Sequence, residues 1–176
     1  MTPFFFGDSS SPLWGVVDEP PAAVERGHGV LICPPIGHEY VRCHWALRQV
    51  ASTLAKQGHH VLRFDWHGVG DSSGSMFQAT VARWCEDVHT ASRELLDSTG
   101  VSSMSIVAVR LGAALAARAA KKVKARAFVV WDPVVDGASY INSLKRLHAK
   151  MLVDDKRFWT LGIGKVRLPL RVNSWG

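Results

Sequence analysis

The chain has 176 residues, 47% of them hydrophobic and 20% charged, with a formal net charge of +6 at pH 7. That length is enough for one domain with a sizeable core, and no apolar run reaches the roughly 18 residues a membrane span needs. The positive excess falls late, in Lys121, Lys122, Lys124 and Arg126 and then from Lys145 to Arg171. No aromatic residues interleave with it as in single-strand binders, so it reads as a solvated basic face and no nucleic-acid partner is expected.

The opening MTPFFFGDSSSP has no basic n-region and no long apolar stretch, so it is not a secretory signal and a cytoplasmic protein is expected. Phe4 to Phe6 and Leu13 to Val17 are predicted as short strands joined by the GDSSSP turn. Pro20 and Pro21 break the chain, and GVLIC, Gly29 to Cys33, follows as a continuous apolar strand. Trp45 to Gln57 carries a helical stripe of Trp45, Leu47, Val50, Ala51 and Leu54 that stops at Gly58. HVLRF, His60 to Phe64, is the next strand. Thr80 to Leu96 is a helix with Val81, Trp84, Cys85, Val88, Ala91 and Leu95 on one face. Ser105 to Val109 is a strand, Gly112 to Ala120 a helix of small residues, and Ala127 to Trp131 a further strand. Beyond Pro133 the pattern weakens. Ala138 to Leu152 is predicted helical, and RLPLRVNSWG reads as one strand or loop.

Strand and helix alternating at this spacing imply an α/β fold: a mostly parallel twisted sheet, helices on both faces, with antiparallel strands at the N-terminus. Strands apolar throughout fit burial on both sides. A single domain over 1–176 is expected, with its core in 1–136 and a helical or irregular segment in 137–176. Cys33, Cys43 and Cys85 are odd in number and widely spaced, which suits free thiols rather than disulfides or a zinc site.

Ligands of open parallel sheets bind beyond the carboxyl ends of the strands. Three such ends are legible: Pro34 to Tyr40 after GVLIC, Asp65 to Gly74 after HVLRF, and Arg110-Leu111-Gly112 after SIVAV. FDWHGVGDSSG resembles the Asp-x-x-Gly-x-Gly-x-Ser turn after the fourth strand of α/β-hydrolases, especially their serine-aminopeptidase-like branch. LICPPIGHEY and the segment LRQVASTLAKQGHHVLRFD are similar to the oxyanion-loop strand, first helix and fourth strand of that branch. Within it, the resemblance is to hydrolase-like proteins associated with bacterial exosortase systems, and it spans roughly residues 1 to 145.

The resemblance implies that Ala108-Val109-Arg110-Leu111-Gly112 stands where the hydrolases carry Gly-x-Ser-x-Gly, a strained turn that exposes the nucleophile above the sheet. Arg110 occupies the serine position, and a guanidinium has no lone pair with which to attack a carbonyl. The family order continues with an acid and then a histidine. After Arg110 the sequence offers Asp132, Asp136 and His148, all soon after the sixth strand. The expectation is a shortened hydrolase fold without catalytic residues, acting as a binding or accessory module. The alternative is an ester or amide hydrolase with a displaced nucleophile, Ser72, Ser73 or Cys33, and His38 or His67 as base. Ser105 lies within its strand, on the wrong side of the turn.

Pro35, Gly37, His38, Glu39 and Leu111 are the candidate pocket or oxyanion-type residues. Asp65, Gly68, Gly70 and Ser72 are expected to order the glycine turn, with Gly68 and Gly70 in unusual backbone angles. His59, His60 and His67 lie close in sequence, but two of them flank a strand start, so no metal or cofactor is expected. GVGDSSG lacks the lysine of a phosphate loop. The partners considered are a small anionic ligand at Arg110, and a protein or second copy at an exposed sheet edge. Asp65, Asp132 and Glu39 are the carboxylates expected within reach of Arg110, the first two because they end strands expected to flank it.

Overall fold

The central strands of the sheet are apolar runs in the sequence and are largely buried. The computed structural model describes residues 1–152, with strands β1 (Thr2–Phe6), β2 (Leu13–Asp18), β3 (His28–Cys33), β4 (His59–Phe64), β5 (Ser103–Val109) and β6 (Ala125–Trp131). The helices are α1 (Gly37–Lys56), α2 (Val81–Thr99), α3 (Leu111–Ala119) and α4 (Gly137–Leu152). The sheet runs β1-β2-β4-β3-β5-β6. β1 pairs with β2 and β2 with β4 antiparallel, whereas the β3–β4, β3–β5 and β5–β6 pairs are parallel. This is the α/β architecture expected, with its N-terminal strands antiparallel. β5 is interior, between β3 and β6.

The two faces bury two sets of side chains, as the period of two along a strand requires. Val30, Ile32, Val61 and Val109 pack beneath Leu47, Ala51 and Ala55 of α1. Leu31, Cys33, Leu62, Phe64, Ile106 and Ala108 face the other way, against Trp84, Val88, Ala91 and Leu95 of α2 and Leu115, Ala116 and Ala119 of α3. Burying one such aliphatic side chain fully contributes about 1.5–3 kcal/mol. β6, the outer strand on its side of the described sheet, is different. Val129, Val130 and Trp131 are exposed on it.

Helix ends follow local chemistry. The Thr80 side chain accepts the Arg83 amide at 3.1 Å and starts α2, and Gly100, at φ 70°, ends it in a left-handed cap. α1 begins at Gly37, eight residues before the predicted start at Trp45, so Gly37, His38 and Glu39 are its first turn and not loop residues. The reason is visible in burial: Leu47 is the first buried residue of α1, so its first turns carry no apolar stripe.

The described residues divide into two units, the first Met1–Val135 and the second beginning at Asp136. The sheet and α1–α3 belong to the first unit. α4 belongs to the second, where Asp136 caps it by accepting the Ala138 amide at 2.9 Å and the Ser139 hydroxyl at 2.7 Å. The strand or loop expected at RLPLRVNSWG lies outside the described residues. No helix among the described residues is long and apolar enough to cross a membrane.

α3 reaches the end of β3 through one close approach. A Cβ at Gly112 would sit 2.4 Å from the Pro34 carbonyl oxygen and 2.5 Å from that of Cys33. Both obstacles are backbone and cannot swing aside. Gly112→Ala should therefore lose about 1–3 kcal/mol by overpacking. It would be read as a lower urea midpoint at unchanged slope.

Candidate functional site

β5 ends at Val109 and α3 begins at Leu111, so a single residue makes the turn. That residue, Arg110, has φ 54° and ψ −123°. A side-chain-bearing residue held there costs of order 1–3 kcal/mol, and the surroundings must hold it in place. Three backbone hydrogen bonds do so: the Arg110 amide donates to Trp131 O at 3.1 Å, and Arg110 O accepts from Ala113 N at 3.1 Å and Val134 N at 3.2 Å. Such a turn thrusts its side chain clear of the carboxyl end of the sheet.

The guanidinium meets two carboxylates there. Nε donates to Glu39 Oε1 at 2.9 Å, and Nη1 lies 3.0 Å from Asp132 Oδ2 and donates to Asp132 O at 3.1 Å. Glu39 stands in the first turn of α1 and Asp132 directly after β6, so one side chain ties three chain segments together. The two partners differ in burial. Glu39 is 18% exposed and Asp132 72%, against 29% for Arg110.

Asp65, the third carboxylate expected near Arg110, is engaged elsewhere. β3 lies between β4 and β5, so Asp65 does not end a strand flanking the turn, and the loop after β3 supplies Glu39 instead. Asp65 Oδ1 accepts the Tyr40 hydroxyl at 2.5 Å, and Oδ2 accepts the Asp71 amide at 3.1 Å. Burial, reinforced by the Asp65 carboxylate, pushes the Tyr40 phenol upward, so it stays a donor. The glycine turn closes on the same acid. Gly70, at φ 58°, leaves no room for a Cβ, which would overlap Asp65 Oδ2 at 2.0 Å. Ser72 Oγ donates to Asp65 O at 2.6 Å and accepts the Trp14 amide at 2.8 Å. Gly68 bonds across the turn, its amide 2.8 Å from Ser73 O.

The remaining strand-end residues line up as follows. Pro35 is buried and Leu111 and His38 half-buried, while Gly37 is exposed at the start of α1. Cys33 is fully buried, and burial pushes its thiol far up, so it is no source of thiolate. Ser72 is buried with its hydroxyl committed as above. Ser73 and His67 are bridged by Ser11, whose Oγ lies 3.1 Å from Ser73 Oγ and 3.4 Å from His67 Nδ1. Arg83 Nη2 donates to Ser11 Oγ at 3.1 Å, and its Nε to Asp87 Oδ1 at 3.0 Å, whose other oxygen accepts the His67 amide. Sequence reasoning missed Ser11, Arg83 and Asp87, although the last two stand at the i, i+4 spacing of a helical ion pair.

Three histidines fall at the other end of the sheet. His28 and His59 start β3 and β4 and pair in register, with His60 beside them against Glu25 at 2.9 Å. His28 Nδ1 lies 2.8 Å from Ser103 Oγ and Nε2 2.9 Å from Ser105 Oγ, which places Ser105 far from the turn. Among the described residues no cluster of His, Cys, Asp and Glu could hold a metal ion. His148 lies on α4, in the second unit.

Residues 36–163 match the family model of serine aminopeptidase, S33. No curated protein matches the chain. Solved structures do. An α/β serine hydrolase without a lid from Xanthomonas campestris matches with a TM-score of 0.64 and 18% identity, over 82% of this chain and 78% of that one. An esterase from Pyrococcus furiosus matches with a TM-score of 0.67 and 20% identity, over 85% of this chain and 55% of that one. Mouse α/β hydrolase domain-containing protein 10 matches with a TM-score of 0.59 and 22% identity, over 85% and 59%. The chain thus spans between about half and four fifths of the length of these structures.

Arg110→Ala should remove the cation bonded to Glu39, which is largely withdrawn from water. A fully buried pair broken this way costs about 3–5 kcal/mol. With the exposures found here the expected loss is smaller, about 1–3 kcal/mol, measured by urea unfolding. A second expectation concerns acid. Burial first, then the charges of His59 and Arg126, hold the His28 imidazole below its ordinary range. The unfolded chain therefore binds more protons than the folded one just below pH 6.5, and stability falls as pH drops through that value. His28→Gln should flatten this part of the stability-against-pH curve; an unchanged slope would remove His28 as its source.

Proposed function

Since the chain belongs to the serine aminopeptidase, S33, family of α/β-hydrolases, we propose that it keeps the nucleophile turn of that family as architecture and uses the fold for binding rather than hydrolysis. One observation carries this reading. The turn holds its strained backbone angles, and its side chain is a guanidinium bonded to Glu39 and Asp132. A nucleophile needs a lone pair that can reach a carbonyl carbon, and arginine stays protonated with none to offer. The finer placement, beside the hydrolase-like proteins of exosortase systems, rests on LICPPIGHEY, FDWHGVGDSSG and the Arg-Leu-Gly turn. In an accessory role β6, the outer strand of the described sheet, is where a protein partner or second copy would add a strand.

The rival reading, a hydrolase with displaced chemistry, has one arrangement in its favour. Ser11 and Ser73 sit near the His67 ring, with Arg83 as a cationic donor to the Ser11 hydroxyl. That cluster binds the 7–12 turn to the glycine turn and to α2. His67 has its backbone, not its ring, on Asp87. A ring with no acid to orient it is a poor general base.

Purified protein should hydrolyse neither short-chain aryl esters nor aminoacyl amides above background, and a fluorophosphonate should leave it unlabelled. Labelling at Ser11 or Ser73 would decide for the rival. Arg110→Ser should also stay inactive, since a serine alone does not restore a base and its orienting acid. A gain of several orders of magnitude would reveal a histidine–acid pair serving the turn.

A further inference from the structure

We infer that Arg110 is a carboxylate-binding site closed by the protein's own Asp132, and that an exogenous carboxylate opens it by taking the place of Asp132. The inference rests on the non-catalytic reading of the turn and adds to it a ligand class and a gate. Its basis is the inequality of the two carboxylates that meet the guanidinium, Glu39 and Asp132. Glu39 is held in the first turn of a 20-residue helix and is mostly withdrawn from water. Its bond to Nε uses one edge of the guanidinium. Asp132 takes Nη1 from the solvent side, 72% exposed, at the end of the outer strand β6. It also sits at φ 45°, a backbone state that costs most residues free energy and that Asp and Asn tolerate best.

An exposed carboxylate on a guanidinium contributes little. Pairs of this kind correspond to no more than about fivefold in an equilibrium constant. Arginine presents its donors as a planar fork that matches a carboxylate. Asp132 therefore occupies the position a ligand carboxylate would take, and it does so weakly enough to be displaced. Its backbone carbonyl, 3.1 Å from Nη1, keeps the guanidinium aimed at the same place while the side chain leaves. The fixed Glu39 prevents the arginine from following.

The test titrates sodium benzoate, with benzamide as the neutral control, into native protein, Asp132→Asn and Arg110→Gln. The readout is the Arg110 Nε–Hε resonance in nitrogen-15 spectra, with the thermal midpoint as readout for Arg110→Gln. Asparagine keeps the left-handed backbone at 132 and removes the competing charge. Asp132→Asn should bind benzoate more tightly than the native protein, by up to about fivefold, benzamide should bind neither, and Arg110→Gln should show no benzoate-dependent stabilisation. Equal or weaker binding by Asp132→Asn, or no binding by either protein, overturns the inference. So does benzoate stabilisation that persists in Arg110→Gln. Should Arg110→Gln not fold, the native and Asp132→Asn titrations decide by themselves. Ester hydrolysis by the native protein would sink the non-catalytic reading and is measured separately, so the two failures are distinguishable.

Discussion

A positive charge at the tip of β5 is the constraint around which the carboxyl end of the sheet is arranged. Arg110 sits at the amino end of α3, where the helix dipole already places partial positive charge, so a guanidinium there is opposed by about 0.3–1 kcal/mol before any partner is considered. The structure answers with carboxylates from both sides. Glu39 serves twice: as an acid in the first turn of α1 it suits that helix's own positive end, and as the partner of Nε it neutralises the arginine. The resulting bridge joins α1, the β5–α3 turn and the end of β6. Strained backbone and ion pair support one another, because the turn aims the side chain and the carboxylates hold it.

A parallel line of hydrogen bonds runs beside this bridge. Tyr40 follows Glu39 on α1 and donates to Asp65, which in turn gathers the glycine turn through Asp71 and Ser72. Adjacent residues of α1 thereby fasten two different strand ends, β4 through Tyr40 and β5 through Glu39. Gly112 completes the arrangement from below, since its missing Cβ lets α3 lie against the carbonyls of Cys33 and Pro34. The upper edge of the sheet is set by these few contacts more than by the apolar core, which fixes the strands but not what their ends present.

The architecture was legible in the sequence because fully apolar strands and amphipathic helices carry a period. GVLIC, HVLRF and SIVAV each lie within an observed strand, and Thr80 and Gly100 bound α2 as their chemistry dictates. The start of α1 was not legible, since residues 37–46 are largely exposed or half-exposed and carry no stripe. Nor was the carboxylate set of Arg110 fully readable. Sequence order suggests that Asp65 and Asp132 flank the turn, but strand order in space is β4-β3-β5-β6, and the intervening β3 brings Glu39 forward in place of Asp65. Side-chain bridges such as Ser11 to His67 and Ser73 depend on loops meeting across 56 and 62 residues, for which a linear pattern has no signal.

An arginine at the β5–α3 turn sets the electrostatics of everything around it. A hydrolytic turn of this fold is organised to meet negative charge as it develops, with helix-end amides as the donors. With Arg110 present the same place holds a permanent cation, so the protein must supply the negative charge itself or borrow it from a ligand. Glu39 and Asp132 are the internal supply. One is fixed in a helix and shielded; the other stands in solvent at the end of an outer strand. The first ties the arginine to α1, and the second meets it from the solvent side. The turn thus carries a standing charge with its counter-charge built in, where a hydrolytic turn meets charge only as it develops.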